Sequence, residues 1–126
     1  MNSGPVRLEV PPTPQYLSAA RLVAGAMAAD AGLTVDDLED LRLGVDELLS
    51  VLIAGVGAAS TDGARIALEY VADDGTITVR GSVDGVSVQT TPDPLTARIL
   101  AAVADHYELG SSSFVITKSS SLREPS

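Results

Sequence analysis

Residues 38–54 read LEDLRLGVDELLSVLIA, and the spacing of their apolar side chains decides the reading of the whole chain. Leu38, Leu41, Val45, Leu48, Leu49 and Leu52 recur every three or four residues and draw one apolar stripe along a helix. Glu47 sits beside that stripe, not opposite it, with Leu43, Val51 and Ala54 on its side. An ionised carboxylate is costly to bury unpaired, so Glu47 either reaches solvent at a groove edge or marks a site.

Outward from this stretch, Thr34 opens the helix, and Asp36 and Asp37 suit the positive end of its dipole. The helix is expected to end near 54–56 and fray through Gly55 and Gly57. Upstream, Thr13-Pro14 reads as N-cap plus proline at the first helical position. That first helix runs to about Ala31, with Leu17, Ala20, Val23, Ala24 and Met27 on its apolar face and Arg21 projecting away. Before it, residues 6–10 (VRLEV) alternate as a short strand that Pro11-Pro12 end. Downstream, 64–71 and 76–82 alternate around the hairpin signal Asp74-Gly75. Asp84-Gly85 reads as a second turn before a short strand at 86–89. Thr91-Pro92 repeats the cap-plus-proline signal for a helix over 92–104, with Leu95, Ile99, Leu100 and Val103 inward. Two short strands, 106–109 and 113–117, follow around Gly110. The order predicts a two-layer α/β sandwich, its sheet mixed but mainly antiparallel and its helices on one face.

Composition bounds the function. A chain of 126 residues implies one domain, here 5–118, followed by a polar, mobile tail at 119–126. Only Tyr16, Tyr70, Tyr107 and Phe114 are aromatic, so the core must be aliphatic. A net charge of −9 without a Lys/Arg cluster repels phosphate backbones and anionic lipid, which argues against direct nucleic-acid or membrane binding and for a basic protein surface as partner. No cysteine and a single histidine, His106, leave no thiol chemistry and no multi-histidine metal site. The first ten residues show no signal pattern, and a cytoplasmic protein is expected.

The order of elements and the local spelling together resemble the anti-sigma factors of the serine-kinase type, within the histidine-kinase-like (GHKL) ATPase superfamily. The resemblance spans roughly 6–118: Pro12-Thr13-Pro14-Gln15-Tyr16, Ala20-Arg21-Leu22, the run from Asp36 to Leu43, Val45-Asp46-Glu47, the hairpin, and Phe114-Val115-Ile116-Thr117-Lys118. It implies that Glu47 stands where a general base polarises the attacking hydroxyl. Four residues on, where an asparagine would hold Mg²⁺, this chain has Val51. At the adenine-binding Asp-x-Gly-x-Gly box, the sequence around Val83-Asp84-Gly85-Val86 fits in neither register. The glycine-rich lid is shortened to residues 89–94, contains no glycine, and places Asp93 where phosphate would sit. Arg21 aligns with a helix-one arginine that contacts the sigma factor in such proteins; a solvated arginine is the alternative. His106 reads as a strand-edge residue, and Asp46 as a surface partner of Arg42.

Three functions follow from the resemblance. The first is an anti-sigma factor with a degenerate ATP site, homodimeric, sequestering a sigma factor and released by an anti-anti-sigma protein, with no cofactor or metal and Glu47 as a remnant. The second is an ATP- and Mg²⁺-dependent serine/threonine kinase acting on an anti-anti-sigma protein. The third is an orphan structural domain of the same fold.

Overall fold

The alternating stretches pair into a single sheet. In the computed structural model, which describes residues 2–59, 63–84 and 92–121, β1 (Asn2–Val10), β2 (Ile66–Asp73), β3 (Thr76–Val83), β4 (His106–Gly110) and β5 (Ser113–Ser119) lie in the order β1-β2-β3-β5-β4. Every described pairing is antiparallel, so the sheet is not mixed among these residues. The tight hairpins dictate two of those pairings. Asp74 and Gly75 both take positive φ, 48° and 80°, as the two-residue hairpin signal requires.

Among the described residues three helices cover one face: α1 (Leu17–Asp30), α2 (Val35–Ala59) and α3 (Pro94–Val103), with a 3₁₀ turn over Pro14–Tyr16 before α1. On the covered face Ile66, Leu68, Tyr70, Ile77, Val79 and Ile116 are buried, whereas Ala67 and Arg80 on the other face are exposed. The α2 stripe behaves as its period demands. Leu41, Val45, Leu48, Leu49 and Leu52 are at most 1% exposed, so this helix is the centre of the core. Gly44 lets α2 sit close to the sheet, because a β-carbon there would collide with Ile116. The Tyr70 hydroxyl donates to the Ala20 carbonyl at 3.0 Å and ties α1 to β2. Burial pushes this phenol well above its usual range, which keeps it a neutral donor.

Several boundaries differ from the sequence reading. Helix α2 runs on to Ala59, past Gly55 and Gly57, because Val56 still buries its side chain in the core. Helix α3 starts at Pro94 with Asp93 as N-cap, not at Pro92. Asp93-Pro94 carries the same cap-plus-proline signal two residues later, and Asp93 Oδ1 accepts from the Thr96 amide at 2.8 Å. With that phase Leu95, expected inward, is 67% exposed. The β4–β5 turn lies at Ser111-Ser112, with Ser112 at φ 68°, not at Gly110. The expected turn residue Gly85, the strand at 86–89, Thr91 and the tail from 122 onward lie outside the described residues.

Residues 119–121, assigned to the tail, are instead stitched into the domain. The Ser119 amide donates to Asp105 Oδ2 at 2.6 Å, and the Ser120 amide donates to the Gly75 carbonyl at 2.7 Å. The Ser120 hydroxyl donates to the Gly32 carbonyl at 3.1 Å, and the Ser121 amide to Asp37 Oδ2 at 2.7 Å. Asp37 also accepts from the Thr34 hydroxyl at 2.8 Å while its own amide donates to Thr34 Oγ1 at 3.1 Å, a reciprocal cap at the start of α2. Burial alone would raise the Asp37 carboxyl. The hydrogen bonds from Ser121 and Thr34 outweigh it and lower the pKa to about 2. A depressed carboxylate stabilises the fold above its unfolded pKa and loses that contribution as pH falls through the folded one. The Asp37 contribution should therefore be complete above about pH 4 and fade towards pH 2. Urea midpoints should show Asp37→Asn less stable than wild type at pH 7 by on the order of 1.5–3 kcal/mol, the usual range for hydrogen bonds to a charged group. The gap should close as pH falls from 4 to 2; a gap independent of pH would contradict the charge-based account.

Candidate functional site

The α2 helix carries the first group of candidate residues. Glu47 and Val51 stand one turn apart on the same side, both half-buried, flanking the fully buried Leu48 and Leu52. With the described residues Glu47 makes no hydrogen bond or ion pair. Among the described residues it is thus neither a member of a salt bridge nor oriented by a hydrogen-bonding neighbour. Val51 presents only methyl groups and has no donor atom for a cation. Among the described residues no cluster of three His, Asp or Glu side chains could hold a metal ion.

Strand β3 brings Val83 to the same end of the sheet as Ile66 and Val10, and all three are buried. Val83 therefore packs in the core, and its neighbour Asp84 is exposed. Of the shortened lid only 92–94 are described. Asp93 caps α3, so its carboxylate occupies one of the free amides at the helix start, where a phosphate would otherwise find donors.

A second group lies between α1 and α2. Arg21 does not project freely: it leans across onto α2, its Nε 3.8 Å from Asp46 Oδ1. That distance is an ion pair without a hydrogen bond, and both atoms are buried with no hydrogen-bond partner. Arg42 pairs not with Asp46 but with Glu39, at 3.1 Å. The i, i+4 pairing of Asp46 with Arg42 is thus replaced by contacts to Arg21 and Glu39. Two surface hollows adjoin here. One, of about 340 Å³, is lined by Arg21, Glu39, Asp40, Arg42, Leu43 and Asp46. The other, of about 560 Å³, is lined by Ser18, Ala19, Arg21, Leu22 and Arg42. Leu22 beside them is 73% exposed, and Leu43 is exposed as well.

The structure thus brings Arg21 to Asp46, with Arg42 lining the same hollows, and leaves Glu47 on another side of α2. His106 opens edge strand β4, exposed, its Nε2 3.6 Å from Glu108 Oε2. The sequence reading missed the Arg21–Asp46 contact and the bridge from Lys118 Nζ to Asp40 Oδ2 at 3.4 Å. The one signal for the first was the short connection at 31–34, which folds α2 back along α1.

The chain is homologous to the serine-protein kinases RsbW of Listeria monocytogenes and Listeria innocua, at 30% identity over 82 residues in each case. The match covers 65% of this chain and 52% of those proteins, so the chain spans about half the length of the curated relatives it matches. No known family profile matches. A crystal structure of the RsbU and RsbW domains of a Mycobacterium tuberculosis protein superimposes with a TM-score of 0.63 at 15% identity, covering 98% of this chain and 34% of that one. That likeness establishes the α/β fold.

Proposed function

We propose, from the homology to the RsbW serine-protein kinases, that this chain is an anti-sigma regulatory factor. It sequesters a sigma factor, is released by an anti-anti-sigma protein, and does so in the cytoplasm without using ATP. The observation that carries the reading is the α2 face on which Glu47 is followed by Val51. Phosphoryl transfer depends on Mg²⁺ and placed donors for nearly all its rate, and valine supplies no ligand. Asp93 adds to this by offering a negative charge at the start of α3. Among the described residues no helix is long and apolar enough to cross a membrane.

A kinase acting on an anti-anti-sigma protein is the second reading, favoured by the retention of Glu47 at the general-base position. A calorimetric titration with ATP·Mg²⁺ separates the two. The anti-sigma reading expects no dissociation constant below about 1 mM, or roughly −4 kcal/mol. A tighter constant would promote the kinase.

The regulator is further proposed to act as a homodimer. Among the described residues strand β1 is a nine-residue sheet edge and offers unpaired backbone groups to a second copy. Light scattering should return twice the monomer mass at micromolar concentration. A monomeric mass across a hundredfold concentration range would count against it.

A further inference from the structure

The serines at 119–121 tie the end of β5 to four distant points of the fold. Ser119 reaches Asp105 before β4, and Ser120 reaches Gly75 in the β2–β3 turn and Gly32 before α2. Ser121 reaches Asp37 in the first turn of α2. The three hydroxyl groups differ in access. Ser119 Oγ lies 3.0 Å from Thr76 Oγ1, half-buried. Ser120 is 9% exposed, with its hydroxyl on the Gly32 carbonyl. Ser121 is exposed, and one carboxylate, that of Asp37, accepts from both its amide and its hydroxyl. We propose that Ser121 is a phosphorylation site, and that a phosphate there opens this latch.

The physical reason is the charge that Ser121 meets. Asp37 is 6% exposed and ionised at neutral pH, so it is a fixed negative charge held away from water. Serine suits it by offering two donors. Phosphoserine keeps the amide, loses the hydroxyl donor, and brings about two negative charges to the same contact, where like charges repel. The positive end of α2 does not offset this, because Asp36 and Asp37 already occupy its first turn. Nor does Lys118, whose ammonium is held by Asp40 at 3.4 Å. The step is a transfer from ATP by a separate serine/threonine protein kinase. Ser121 Oγ bonds to the γ-phosphorus, the bond from that phosphorus to the ADP oxygen breaks, and the hydroxyl proton passes to the base of the kinase. The closed latch engages the hydroxyl, so the kinase takes chains in which the latch has opened, and the phosphate prevents reclosure. Kinases select serines in part by flanking charge, and Ser121 stands between Lys118 and Arg123 in a chain with eight Lys and Arg.

The test uses the full chain with phosphoserine genetically encoded at 121, compared with the unmodified chain by amide hydrogen exchange. The Ser120 and Ser121 amides should exchange about tenfold faster or more in the phosphorylated chain, relative to their intrinsic rates. Ser121→Ala keeps the backbone donors and should protect the Ser120 amide nearly as well as wild type. In Asp37→Asn the phosphate should have a smaller effect, because the repelling charge is gone. Unchanged protection in the phosphorylated chain would overturn the switch. So would an equal effect of the phosphate in wild type and Asp37→Asn, or equal loss of protection in Ser121→Ala, since neither needs charge repulsion. Occupancy is read by mass spectrometry of the protein isolated from its source cells across growth phases and stresses. Phosphate on Ser121 in at least one condition is expected. Phosphate confined to Ser119 or Ser120, or found in no condition, would overturn the assignment of the site.

Discussion

Gly81→Ala should destabilise the domain by about 2–3 kcal/mol, at the upper end of the range for inserting a methyl group into a packed core. Gly81 is buried on the central strand β3, directly opposite Phe114 of β5. The Phe114 ring lies over the glycine, and a β-carbon there would overlap three of its atoms. The ring cannot swing aside cheaply: Phe114 is 4% exposed, and its other cross-strand neighbour is Leu109. An aromatic ring covering a glycine on the paired strand is a recognised way to fill the gap the missing side chain leaves. Chemical denaturation gives the cost, and a double-mutant cycle gives its cause. Phe114→Leu, which vacates the overlapping atoms, should recover part of the loss in the Gly81→Ala background. Additive effects would place the damage elsewhere than in this pair.

Arg21→Glu should weaken sigma-factor binding by about 2 kcal/mol, some thirtyfold, as expected when a like charge replaces an interface arginine. Glu47→Ala is the internal control. Under the anti-sigma reading it should leave binding unchanged and stability unchanged or slightly raised, because Glu47 has no partner among the described residues. No phosphate should reach any candidate partner from either protein. Surface plasmon resonance on the two variants, with thermal melts to verify folding, reads both effects together. Lost binding in Glu47→Ala with Arg21→Glu unaffected would put the interaction surface on the wrong side of α2.

Much of the fold was legible because its determinants are local. The 38–54 period placed the central helix, and five of its six stripe residues are at most 1% exposed. Strand alternation and Asp74-Gly75 placed the β2–β3 hairpin with its register. The start of α3 was ambiguous for a local reason too: Thr-Pro and Asp-Pro occur two residues apart, and only packing selects the second. The candidate site was legible in its residues but not in its contacts. Arg21 and Asp46 are far apart in sequence, and no periodicity states which faces of α1 and α2 meet. The same holds for Ser119, Ser120 and Ser121, whose polar spelling reads as tail although their partners Asp105, Gly75, Gly32 and Asp37 lie along the whole chain.

The position of β5 orders the events of folding. It is the last described strand in sequence yet lies inside the sheet, between β3 and β4, and Ser121 closes a contact with Asp37 across 84 residues. Until the β4–β5 hairpin docks, β3 is a bare edge whose backbone groups over 76–83 can pair with any other chain. Such long loop closures are slow to find. A chain synthesised only as far as β3 therefore presents that bare edge, and pairing with another chain there would compete with completion of the sheet.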